Sequence, residues 1–100
     1  MISMGKEQSV NDLNKTEARW QAWVEETSAL LGIDAGLVNI HAIHDLTKTI
    51  AHDLERPMAP VGSFMLGLAM GVHGGSADPA ALKSLIESTT RRDAVDQVTA

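Results

Sequence analysis

The chain has 100 residues, 44% of them hydrophobic and 21% charged, with a formal net charge of −5. That length suits one domain with a real core, and the balance argues against intrinsic disorder. Cysteine is absent, which excludes disulfides, thiolate metal sites, iron–sulfur clusters and cysteine nucleophiles. Basic residues are scattered, with only Arg91 and Arg92 adjacent, so no nucleic-acid partner is expected.

The first ten residues carry Lys6, Glu7 and Gln8 and lack the apolar core of a signal peptide. Residues 1–13 read as a flexible leader. Asn14 and Glu17 have capping-box spacing and predict a helix start. Trp20, Trp23, Val24, Thr27, Leu30 and Leu31 recur at offsets of three and four, predicting an amphipathic helix that ends at Gly32. A connector over 32–36 follows.

A second helix is predicted from Asn39 to Arg56, with Ile43, Leu46, Thr47, Ile50, Ala51 and Leu54 as its inner stripe. Pro57 ends it. Pro60 opens a third helix running to His73, apolar nearly all round and therefore expected at the centre of the fold. Within it Ser63, Gly67 and Gly71 lie four apart, a strip suited to close packing or to an interface. Gly74 and Gly75 stop that helix. Asp78 and Pro79 start a fourth, packed through Leu82, Leu85, Ile86 and Thr89, and 93–100 form a tail or extend it. The expected fold is an all-α, compact bundle of about four helices with short connectors, spanning 14–92 as a single domain.

No catalytic motif is present. Ser63 lacks the second glycine of a nucleophile elbow, and Gly71 to Gly75 lack the lysine of a phosphate loop. His41, Asp45, Lys48 and His52 fall on one stripe of the second helix, opposite the core stripe. That stripe reads as a solvated face with local ion pairs, as a polar binding patch, or as a metal site, although a cation would have to displace Lys48. Arg56 lies just before the Pro57 bend, where it either bonds the last helix carbonyls or serves binding. The longest apolar run, 61–72, is too short to span a bilayer, so no membrane partner and a cytoplasmic location are expected.

Asp45-Leu46-Thr47, Ala51-His52, Arg56-Pro57 with Ala59-Pro60, and then Phe64, Gly67 and Gly71 follow a helix ending in Leu31-Gly32. This order of motifs resembles a small bacterial helical domain family of uncharacterised function. Its members occur alone or attached to molybdenum cofactor guanylyltransferases, and are often labelled molybdopterin-guanine dinucleotide biosynthesis proteins. The resemblance covers roughly 16–90 and departs at His41 and His44, where an acidic and an aliphatic residue belong.

The resemblance implies a non-catalytic accessory domain that acts by protein contact, with a guanylyltransferase as the partner and no cofactor of its own. Asp45, His52 and Arg56 are the candidate binding residues, and Ser63, Gly67 and Gly71 the candidate interface. The rival readings are a small metal- or ligand-binding protein using His41, Asp45 and His52, and a structural homodimer built on the third helix.

Overall fold

A computed structural model describes the backbone of residues 2–99 and the side chains of residues 13–90. It contains four α-helices, α1 (Ile2–Leu31), α2 (Ile40–Asp53), α3 (Ala59–His73) and α4 (Pro79–Thr99), and no strand among the described residues. Three short 3₁₀ turns, Ala35–Leu37, Arg56–Met58 and Gly74–Ser76, supply the connectors. The all-α class and the four helices are as the periodicity requires. The side chains of Arg91, Arg92, Val95 and Val98 lie outside the described residues.

The chain divides into two compact units, residues 1–40 and 41–100. The first holds α1 and the turn that follows it. Asn14 does not begin the helix as its spacing suggests: helical backbone continues through it to Ile2, so residues 2–13 are helical where a leader was expected. No proline interrupts 2–13, and the single glycine there, Gly5, costs about 1 kcal/mol without breaking a helix.

The end of α1 is a Schellman cap. Gly32 takes φ 71, its N–H reaches the Ala29 carbonyl at 3.3 Å, and that of Ile33 reaches the Ser28 carbonyl at 3.0 Å. Asp34 then caps the following turn by accepting from the Gly36 N–H at 2.8 Å. Of the predicted apolar stripe, Val24 is buried, whereas Trp20, Trp23, Leu30 and Leu31 stand exposed.

The second unit carries the hydrophobic core. Leu46 and Ile50 of α2, at 0% and 2% exposure, meet Ala59 and Leu66 of α3. Ala51, Met70, Leu82 and Ile86 pack around them, so α2, α3 and α4 all contribute. Gly62 is the contact that sets the spacing of α2 and α3: a Cβ there would lie 2.1 Å from Ile50 Cδ1. Asp78 caps α4 by accepting from the Ala80 N–H at 3.2 Å, with Pro79 as first helical residue.

The helix boundary at the corner differs from the sequence expectation. α2 stops at Asp53 rather than Arg56. A proline ring clashes with the carbonyl four residues before it, and for Pro57 that carbonyl belongs to Asp53. The backbone is therefore extended by Glu55, at φ −164° and ψ 137°. Arg56 opens a 3₁₀ turn and Leu54 is left partly exposed.

Candidate functional site

The polar stripe of α2 forms as its spacing predicts, with His41, Asp45, Lys48 and His52 all exposed. Its members do not converge on one point. His52 Nδ1 lies 3.0 Å from the carboxylate of its neighbour Asp53. Asp45 turns to α4, where its carboxylate accepts from Lys83 Nζ at 2.7 Å. Lys83 also donates to Glu87 one turn on, at 2.8 Å. No three His, Asp or Glu side chains among the described residues are grouped to hold a metal ion.

This triad fastens α2 to α4, and Lys83 and Glu87 were not foreseen. The i,i+4 spacing of Lys83 and Glu87 is visible in the sequence, but the 38-residue separation from Asp45 is not. The ion pair shifts both partners. Hydrogen bonding and then the charge of Lys83 hold the Asp45 carboxyl below its ordinary 3.8, with a smaller contribution from Lys48. The hydrogen bonds that Lys83 donates, first to Asp45 and then to Glu87, raise it above its ordinary 10.5.

Arg56 stands apart from this triad. Its side chain is exposed and makes no hydrogen bond or ion pair with a described residue. The corner does not need it. Leu54 and Glu55 N–H both reach the Ile50 carbonyl, at 2.9 and 3.0 Å, and Met58 N–H reaches the Glu55 carbonyl at 3.0 Å. The Ile50 and Glu55 carbonyls are thus taken by backbone N–H groups, and the guanidinium is left presented on a stiff bend flanked by Pro57 and Pro60.

The third candidate surface is α3, which is not enclosed as its composition suggests. Ala59, Gly62 and Leu66 are buried, whereas Val61, Met65 and Leu68 are exposed, Phe64 is 70% exposed and Val72 74%. Two neighbouring helices cover one side of α3 and leave the other in water. The strip of small residues divides accordingly. Ser63 is half-buried, its hydroxyl donating back to the Ala59 carbonyl at 3.3 Å. Gly67 and Gly71 are exposed, with nothing within 4 Å of where a Cβ would stand, so neither serves close packing inside the second unit.

No helix is long and apolar enough to cross a membrane among the described residues. The described residues thus form an all-α domain with an ion pair tying α2 to α4, an arginine without a partner among the described residues, and an open apolar face on α3. The chain belongs to the family described as Domain of unknown function (DUF6457), which it matches over residues 15–100. An uncharacterised small domain is therefore what the motif order pointed to. No curated protein and no solved structure matches the chain.

Proposed function

We propose that this chain is a non-catalytic interaction domain that serves molybdenum cofactor guanylylation in the cytoplasm, contacting the guanylyltransferase through the Arg56 corner. One observation carries the reading: Arg56 presents a guanidinium with no partner among the described residues, on a bend where backbone N–H groups already take the Ile50 and Glu55 carbonyls. A planar fork of donors held on a stiff bend suits a carboxylate or phosphate, and loses little freedom when it binds one. His52, exposed near the end of α2, is the second polar residue of the proposed contact. The identity of the partner rests on the resemblance between the Asp45–Gly71 motif order and domains that accompany guanylyltransferases.

Binding of the full-length chain to the guanylyltransferase of the same host, measured by surface plasmon resonance, tests the proposal. Replacing both Arg56 and His52 by Ala should weaken association by at least about tenfold, on the order of 1.4 kcal/mol, with helicity unchanged. Equal binding by the double variant, or no binding by the natural chain, contradicts it.

A further inference from the structure

We infer that the open face of α3 is the docking surface for a second copy of this chain, forming a two-fold symmetric helix pair. Arg56 lies outside this face, in the turn that precedes α3.

The charge pattern comes first. From Ala59 to His73 there is no Asp, Glu, Lys or Arg, in a chain where 21% of residues are charged. Near a two-fold axis each residue meets its own copy, so any charge placed there would face a like charge. For a chain of net charge −5, an uncharged face is the one its own copy can approach without repulsion.

Shape points the same way. Phe64 and Leu68 are one turn apart and form a ridge. Gly67 and Gly71, each three residues further on, form a furrow directly beside it. The furrow is empty, with nothing within 4 Å of either missing Cβ. A ridge beside a furrow on one face is self-complementary: rotating a copy by 180° sets each ridge in the other's furrow, as ridges-into-grooves packing requires.

Area bounds what such a pairing can bury. The open face of α3 exposes on the order of 600 Å² per copy, given side chains of this size. Pairing would bury about 1,200 Å² in total, the lower edge of what a specific interface needs. The dimer should therefore be weak, with Kd in the range of about 1–100 μM.

Sedimentation equilibrium of the full chain from about 1 to 500 μM tests the inference. The expected result is a mass rising with concentration from 10.7 kDa towards twice that value. Leu68→Lys places two like charges across the axis and should keep the chain monomeric throughout, with unchanged circular dichroism. Gly71→Leu, which fills the furrow at a site with open space around it, should raise Kd at least about tenfold while leaving the fold intact. A natural chain that stays at monomer mass over the whole range overturns the inference. So does a dimer that survives both substitutions, and so does a monomer whose binding to the guanylyltransferase is lost on Leu68→Lys, which would assign the face to that protein.

Discussion

The two sides of α3 are made from similar residues and do different work. On the inner side Gly62 and Leu66 meet Ile50 and Leu46, and a Cβ on Gly62 would fall 2.1 Å from Ile50. On the outer side Gly67 and Gly71 look into open space, flanked by exposed Phe64 and Leu68. Apolar content alone does not separate the two sides. What separates them is whether a neighbouring helix supplies a partner surface, and α2 and α4 together cover only one flank.

The largest effect expected from this contrast comes from the inner side. Leu46 is fully buried, and Leu46→Ala should cost about 3 kcal/mol through lost burial and the cavity left behind. In a chain of this size that loss lowers Tm by more than about 10 °C. Urea titration or a thermal melt of dilute protein measures it, and a loss under about 1 kcal/mol would mean that the α2–α3 core is looser than the contacts around Leu46 imply.

The smallest effect concerns the tether of α2 to α4. Asp45 has a lowered carboxyl pKa in the folded chain, so its contribution is present above the ordinary value of 3.8 and is lost as pH falls through the lower folded value. Lys83 has a raised pKa, so its contribution is complete below 10.5 and is lost as pH rises through the higher folded value. Between about pH 5 and 10 the tether should be insensitive to pH. Lys83→Met should lower the urea midpoint slightly at pH 7, and the two chains should converge in acid once pH falls below the lowered pKa of Asp45. The difference is small because Asp45 is largely exposed. A gap between the two chains that persists undiminished in acid would remove the ion pair as its cause.

Much of this architecture is legible from local patterns. The Gly32 stop of α1, the Leu46 and Ile50 stripe, Pro60 in the first turn of α3 and the Asp78-Pro79 start of α4 all act within a turn of themselves, where sequence rules apply. Three features escaped for definite reasons. Asn14 and Glu17 have capping-box spacing, yet a cap acts only where the helix ends, and nothing before them ends it. Pro57 acts on the carbonyl four residues back, so α2 closes at Asp53 and Arg56 leaves the helix. The outer face of α3 looks like core because composition records how apolar a helix is and not what stands beside it. Of the candidate binding residues, Asp45 is engaged by Lys83, a partner 38 residues away that periodicity does not reveal.

The contrast between the two sides of α3 is tested most directly by one pair of thermal melts at high dilution, Gly62→Ala against Gly67→Ala. The new methyl in Gly62→Ala falls on the Ile50 Cδ1 methyl, which must turn away within the buried cluster, and should destabilise by about 1–2 kcal/mol even after the gain in helix propensity. The methyl in Gly67→Ala meets nothing and adds helix propensity, so it should stabilise by up to about 1 kcal/mol. Shifts of opposite sign are the predicted result. Destabilisation by both substitutions would mean that the outer face is already covered within the monomer, and would contradict the account of α3 as a helix with one side buried and one side open.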